Sequence, residues 1–374
     1  MRIILDPQIF NIQTFGGISR YYTEIFTRIK QYQNVDIIFP LYETNNVYLS
    51  SSNLIPKNNQ FLFRFLNFLP KIGISTRSIT KKKTQKIFSK TIQNKDFDLF
   101  VPTYYYPYFL ENIVDKPFVL TVYDMIHEIF PQYFLDDLET KKNKKLLINK
   151  ATKIIAISEN TKFDILKFYP EIDSSKIEVV YLSHSITSNI FKKIEVPENY
   201  ILFVGNRSIY KNFNFFIKAV TPILYNNPKL FVVAAGGNKF NTEELKLLKY
   251  LKILSQVIQT NFEEQELAAY YYNAKCFVFP SEYEGFGIPV LEAMASKCPV
   301  VLANHSSFPE VAGDAGVYFE LNDELDLRNK INLLLENDNL RNEYINKGIE
   351  QVNKFSWQKT ADECLKVYQK AILC

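Results

Sequence analysis

Twelve short apolar runs, each separated from the next by helical spacing or a loop, constrain this chain more than any other feature of its sequence. The first series is RIILDP (2–7), VDIIF (35–39), DLFV (98–101), FVLTVYD (118–124), KIIAIS (153–158) and IEVVYLS (177–183). A second begins after VPEN at 196–199 with YILFVG (200–205), LFVVAAGG (230–237), VIQT (257–260), KCFVFPS (275–281), PVVLA (299–303) and GVYFE (316–320). Runs this short and this rich in Val, Ile and Phe are strands, and strands joined through helices must lie parallel with the helices on their faces. The expected architecture is therefore α/β, with two successive Rossmann-like, doubly wound domains over residues 1–195 and 196–357, joined near Glu195–Asn199. A length of 374 residues suits two such cores and exceeds one. In folds of this kind the ligand sits at the carboxyl ends of the strands, here in the cleft expected between the two domains. Residues 43–95 are the irregular part, and the tail from Trp357 has the spacing of one amphipathic helix.

Composition removes several classes of function. With 47% hydrophobic and 22% charged residues, the chain is neither disordered nor a coiled coil. A net charge of +4 gives no field that would hold nucleic acid, and allows only a mild attraction to anionic surfaces. Cys276, Cys298, Cys364 and Cys374 share no metal-ligand spacing, and a reducing compartment is expected. No apolar run reaches the roughly 18–20 residues that span a bilayer. MRIILDP meets Asp6 too early for a signal-peptide core, so a cytoplasmic location is expected.

Glycine is scarce, eleven in the chain, and nine of these fall in five clusters: Gly16–Gly17, Gly205, Gly236–Gly237, Gly285 with Gly287, and Gly313 with Gly316. Backbone must turn sharply or approach a ligand at such places. The densest is SEYEGFGIPVLEAMASKCPVV (281–301), between two buried strands. Gly285 and Gly287 permit a tight turn, Pro289 suits the first position of a helix, and Pro299 forbids that helix from continuing. The turn aims backbone N–H groups and the positive end of a helix dipole at the crevice, a place for phosphate. Glu284 precedes the turn and Glu292 is expected near the first turn of the helix. Two acceptor-only carboxylates at different heights there suit sugar hydroxyls, although either alone is also explained as a solvated or dipole-favouring acid.

After strand YILFVG, Arg207 and Lys211 stand where a diphosphate would lie, and Arg binds phosphate bidentately where Lys does not. Lys211 alone also fits a solvated basic loop. Gly16–Gly17 can approach phosphates or form a plain turn. Asp124 and His127 close strand FVLTVYD; alone, His127 fits a structural role equally. Asp96 and Asp98 are spaced like a metal-binding pair, but they enter strand DLFV at its amino end, away from the crevice, so no metal site is expected.

The runs ILFVGNRSIYKN and EEQELAAYYYNAKCFVFPSEYEGFGIPVLEAMASKCPVVLANHSSFPEVAGDAGVYF resemble glycosyltransferase family 4, the retaining nucleotide-sugar transferases of the GT-B fold. The likeness covers nearly all of 200–357. It extends into 1–190 through the GG loop, TVYDMIHEIFP and IIAISENTKFDI, a combination most similar to mannosyltransferases of bacterial O-antigen and capsule assembly. FSW and the last helix fit too, since in such folds that helix, here 358–374, crosses back onto the first domain.

The resemblance implies roles by position. Glu284 would bind donor sugar hydroxyls, Glu292 the ribose, and Arg207 with Lys211 the diphosphate. Backbone N–H groups from Gly285, Phe286, Gly287, Ile288 and Val290 would hold sugar and phosphate, and Gly16–Gly17 would close over the diphosphate. Asp124 and His127 would lie near the transferred sugar. The family often has His at Tyr123, so His127 takes that role here, and usually Gly at Lys297.

The implied reaction moves a hexose, mannose-type, from a nucleotide diphosphate sugar to a hydroxyl of a glycan or lipid-linked glycan with an α-linkage. No cofactor or metal is required, and catalysis rests on positioning and charge stabilisation. The rivals are another GT-B activity, such as a sugar-nucleotide epimerase or a phosphorylase, and a non-catalytic binding subunit. Finally, FLFRFLNFLPKI (61–72), followed by Lys81-Lys82-Lys83, suits either peripheral contact with an anionic membrane or burial in the first domain.

Overall fold

A computed structural model describes residues 1–41, 44–54, 88–186 and 193–374. The apolar segment 61–72 and the lysines at 81–83 lie outside the described residues. All twelve apolar runs form strands, numbered in chain order, and every pairing among them is parallel. The chain divides into two compact units, Met1–Leu182 with Trp357–Cys374, and Ser183–Ser356.

In the first unit, β1 (Arg2–Leu5) lies between β2 (Asp36–Ile38) and β3 (Leu99–Val101), while β5 (Lys153–Ala156) lies between β4 (Val119–Val122) and β6 (Ile177–Val179). Among the described residues one bridge, Phe100 to Phe118, joins the two groups, with the Phe100 N–H donating to the Pro117 carbonyl at 3.0 Å. The chain leaves β1 toward β2 on one side and returns to β3 on the other, so the loops after β1 and β3 diverge at a switch point. Helix Gly17–Ile29 buries Tyr21, Tyr22, Ile25, Phe26 and Ile29, the spacing of one helical face. That face receives helix Trp357–Leu373, with Phe26 against Tyr368 at 6.1 Å and Tyr21 against Trp357 at 6.4 Å. The Tyr21 hydroxyl lies 3.3 Å from Cys364 Sγ, a thiol whose pKa burial pushes up to about 12.

The second unit is one six-stranded sheet in the order β12-β11-β10-β7-β8-β9. These are β7 (Tyr200–Val204), β8 (Phe231–Ala235), β9 (Val257–Thr260), β10 (Cys276–Phe279), β11 (Val300–Ala303) and β12 (Gly316–Phe319). β7 and β10 are buried along their whole length, as continuous apolar runs demand when helices cover both faces. The order reverses between β7 and β10, which puts this unit's switch point there.

Candidate active site

The residues singled out near 207 and 284 come from the two loops that leave the β7/β10 switch point. After β7, Gly205 takes φ +113°, a short 3-10 turn spans Ile209–Lys211, and Asn212 in the left-handed region (φ +58°) starts helix Phe213–Asn226. After β10, the loop reaches Gly287 at φ +99°, from which helix Ile288–Ala295 begins. That backbone angle costs an L side chain roughly 1–2 kcal/mol, and glycine far less. The Glu282 N–H donates to the Tyr210 carbonyl at 2.8 Å and ties the loops together. Lys211 Nζ then forms an ion pair with Glu284 Oε1, both side chains only about one sixth exposed (16% and 15%), and also lies over the Phe279 ring.

Glu284 is held by two serines that sequence reasoning missed. Ser306 Oγ donates to the Glu284 carbonyl at 2.6 Å, and Ser307 Oγ donates to the Glu284 and Phe286 carbonyls, each at 2.9 Å. Both sit in the loop after β11, where Ser306 adopts φ +58°. The only local signal for them is a pair of small polar residues just past an apolar strand.

Glu292 is the fifth residue of its helix, because the helix starts at Ile288 and Pro289 takes its second position. It therefore lies at the start of the second turn, just beyond the first. Its side chain is buried, and the Tyr271 hydroxyl donates to Oε2 at 3.5 Å. The Val290 N–H, expected to face phosphate, donates instead to the Gly287 carbonyl at 2.9 Å. Gly285 and Phe286 lie in the loop between β10 and this helix, with the Phe286 ring buried against Phe355.

Arg207 lies over the Phe213 and Phe240 rings, and its hydrogen-bond partners all come from the loop after β8 and the helix beyond it. Nε and Nη2 donate to the Glu244 carboxylate at 2.7 and 3.4 Å, Nη1 to the Gly236 carbonyl at 3.0 Å, and Nη2 to the Asn238 and Lys239 carbonyls at 3.0 and 3.1 Å. The guanidinium is almost wholly buried, and it clamps that loop onto the end of β7. Glu244 also completes a capping box with Asn241. The glycine at 237 is explained by this approach: a Cβ there would lie 2.7 Å from the Gly205 carbonyl oxygen and 2.9 Å from Arg207 Nη1. The structure thus joins Lys211 to Glu284 and Arg207 to Glu244, in separate contacts.

In the first unit, Gly16 and Gly17 open helix Gly17–Ile29. The Gln13 side chain occupies that end: its Oε1 accepts from the Ser19 N–H at 3.1 Å, and a Cβ on Gly16 would meet Oε1 at 2.5 Å. Asp124 comes after β4; its carboxylate accepts from the Ile126 N–H at 3.1 Å. Its carbonyl accepts from Lys144 Nζ at 3.1 Å, a fully buried ammonium that also lies 2.6 Å from Glu128 Oε2. The Tyr169 hydroxyl donates to Glu128 Oε1 at 2.9 Å. Glu128 and Lys144 are not legible in the sequence, since an interior pair assembled from two helices leaves no spacing signal. His127 Nε2 lies 3.2 Å from Asp137 Oδ2, and its ring packs on Phe134. Tyr123 is buried among Tyr21, Tyr22 and Tyr105, with its hydroxyl donating to the Thr103 carbonyl at 3.3 Å. Asp96 and Asp98 both meet Arg2, one through an ion pair with its side chain and the other by accepting its backbone N–H at 2.8 Å. Among the described residues, no group of three or more His, Cys, Asp or Glu side chains is placed to hold a metal ion.

Comparison with known proteins respects the same division. Residues 186–351 match the family described as Glycosyl transferases group 1. The O-antigen chain mannosyltransferase B of Escherichia coli is 26% identical over 297 residues, covering 74% of each chain. The O-antigen chain mannosyltransferase RfbU of Salmonella typhimurium is 28% identical over 208 residues, 55% of this chain and 57% of its own. An uncharacterized glycosyltransferase of Methanocaldococcus jannaschii is 26% identical over 380 residues, 98% of both chains. Among solved structures, sucrose-phosphate synthase from Thermosynechococcus elongatus matches with a TM-score of 0.72 at 15% identity, over 99% of this chain and 98% of its own. Anabaena HepE in complex with UDP and glucose matches at 0.67 and 16%, over 98% of each. With parallel, doubly wound units and a group 1 glycosyl transferase domain over residues 186–351, this chain is a glycosyltransferase of the GT-B fold.

Proposed function

We propose that this glycosyltransferase is a retaining, family 4 enzyme that moves a hexose from a nucleotide diphosphate sugar to a hydroxyl of a glycan or lipid-linked glycan, forming an α-linkage. The observation that carries the reading is the Lys211–Glu284 ion pair at the β7/β10 switch point, beside the start of helix Ile288–Ala295. Sugar nucleotides bind in α/β sheets at such points, with the diphosphate at a helix amino terminus. On donor arrival the pair opens: the ammonium exchanges a carboxylate for phosphate oxygens, and Glu284 turns to the sugar hydroxyls. Lys211 and the helix dipole then stabilise charge developing on the leaving diphosphate, which itself takes the acceptor proton. Arg207 acts one step back, by fixing the loop after β8 against the end of β7. Glu292 takes the ribose. The reading also assigns Gly16–Gly17 of the amino-terminal unit to the diphosphate, and Asp124 and His127 to the transferred sugar and acceptor.

The mannosyltransferase names of the Escherichia coli and Salmonella relatives support a mannose-type sugar, and the UDP and glucose in the HepE complex support a nucleotide-sugar donor. Metal independence is part of the proposal, supported by the engagement of Asp96 and Asp98 with Arg2. A cytoplasmic location, with peripheral contact at the inner face of the membrane, would bring the enzyme to a lipid-linked acceptor; no described helix is long and apolar enough to cross a membrane.

The test is a thermal-shift screen of nucleotide sugars on the wild type and two variants. A true donor at a hundredfold above its Kd stabilises the fold by about 2.7 kcal/mol. Glu292→Gln is expected to weaken the bare nucleotide diphosphate, whereas Glu284→Gln spares it and weakens only the sugar nucleotide. Absence of stabilisation by any nucleotide sugar would overturn the reading, and equal loss of nucleotide binding in both variants would overturn the division of labour.

A further inference from the structure

The amino-terminal unit has a switch point of its own, between β1 and β3, and aromatic rings stand at it. The segment after β3, Thr103 to Phe109, is latched to the residues that follow β1, Asp6 and the helix-opening Gln8, at two levels. The Tyr106 N–H donates to Gln8 Oε1 at 3.2 Å, and Gln8 Nε2 donates to the Tyr106 carbonyl at 3.5 Å. Above them, the Tyr108 hydroxyl donates to Asp6 Oδ1, a fully buried carboxylate at the end of β1.

The rings so held form a row from the interior outward. Phe88 packs on Tyr108 at 5.0 Å, and Tyr106 stacks on Tyr108 at 5.6 Å with 26° between planes. The row ends in the open, with Tyr108 36% exposed and Tyr106 55% exposed. A ring that is anchored through its backbone and backed by a second ring, yet open to solvent, is prepared for a contact that loses little conformational entropy. Tyr104, in the same segment, lies close enough to Asp124 and Asp137 for their charges to join burial in raising its hydroxyl to about 12.

We propose that Tyr106, backed by Tyr108, is the stacking platform for a pyranose ring of the acceptor glycan. This rests on the glycosyltransferase reading above and assigns its acceptor subsite. A pyranose presents one face of C–H groups and a rim of hydroxyls, which suits a phenol ring offering an apolar face and a polar tip.

The test uses methyl α-mannobioside as probe, observed by saturation-transfer NMR on the full chain, with methyl β-lactoside alongside. Wild type should transfer saturation to the C–H protons of one sugar face of one probe. Tyr106→Ala should weaken that binding by about tenfold, as expected for loss of one aromatic contact, while Tyr106→Phe stays within about threefold of wild type. The shift in melting temperature produced by UDP or GDP should be the same in all three proteins, which shows that the variants are folded and their nucleotide site intact. Equal binding by wild type and Tyr106→Ala would overturn the assignment, as would wild type that binds neither glycoside. Sedimentation with anionic phosphatidylglycerol vesicles that Tyr106→Ala abolishes, with glycoside binding unchanged, would make the ring a lipid contact and overturn it equally. Failure of the glycosyltransferase reading shows separately, as a wild type that no nucleotide sugar stabilises.

Discussion

Replacing Arg207 with Ala decides between two employments of the same guanidinium. In the structure it is almost wholly buried, and it gives hydrogen bonds to the Glu244 carboxylate and to three carbonyls of the loop after β8. Removing it leaves Glu244 as an uncompensated buried charge, which costs about 3–5 kcal/mol, besides the carbonyls left without donors. In a unit of this size each kcal/mol moves Tm by about 2–4 °C, so the variant should melt about 6–20 °C below wild type. Arg207→Ala combined with Glu244→Ala should cost at least about 1 kcal/mol less than the sum of the singles, because the pair leaves no charge buried alone. The assay is thermal unfolding of wild type, both singles and the double, with and without saturating UDP or GDP. A Tm within about 2 °C of wild type, with nucleotide affinity lowered by about a hundredfold, would refute the clamp and make Arg207 a direct ligand of the diphosphate.

Three other contacts carry expected outcomes of their own. Activity should survive EDTA, and Asp96→Asn should shift Tm by less than about 2 °C, because its partnership with Arg2 is exposed to solvent; activity lost on chelation and restored by Mg²⁺ or Mn²⁺ would reverse this. Burial raises the Asp6 carboxyl from its ordinary 3.8 to about 6, against the opposing hydrogen bonds from Tyr108, Thr103 and Gln8. The folded chain then holds this proton more tightly than the unfolded one, so the stability Asp6 contributes is full below pH 4 and falls by about 3 kcal/mol as pH rises through 6. Denaturation midpoints of wild type relative to Asp6→Asn should fall across that window, and a constant difference would refute it. Lys297, at the end of helix Ile288–Ala295, holds φ +60°, which glycine adopts without strain. Lys297→Gly should therefore raise Tm by about 2–4 °C and Lys297→Ala should not; equal melting of the two would place the strain elsewhere.

The strands were legible because each buried parallel strand must be apolar on both faces, so a run such as YILFVG declares itself within five or six residues. The turn at 285–287 was legible because a positive φ demands glycine locally, as at Gly287. Helix Trp357–Leu373 showed in its own spacing, though not the Tyr21 and Phe26 face that receives it. What could not be seen was partnership. Arg207 and Glu244 stand 37 residues apart, and Lys211 and Glu284 stand 73 apart. Nothing local distinguishes an arginine bound for phosphate from one that clamps a neighbouring loop. The pairing of Gln8 with Tyr106 and of Asp6 with Tyr108 likewise needs β1 to lie beside β3. Periodicity and turn chemistry act over a few residues, so the sequence by itself determined the elements and their class. Strand order brings together residues a hundred positions apart, so only the tertiary structure decided which charges meet and which rings are left open to a ligand.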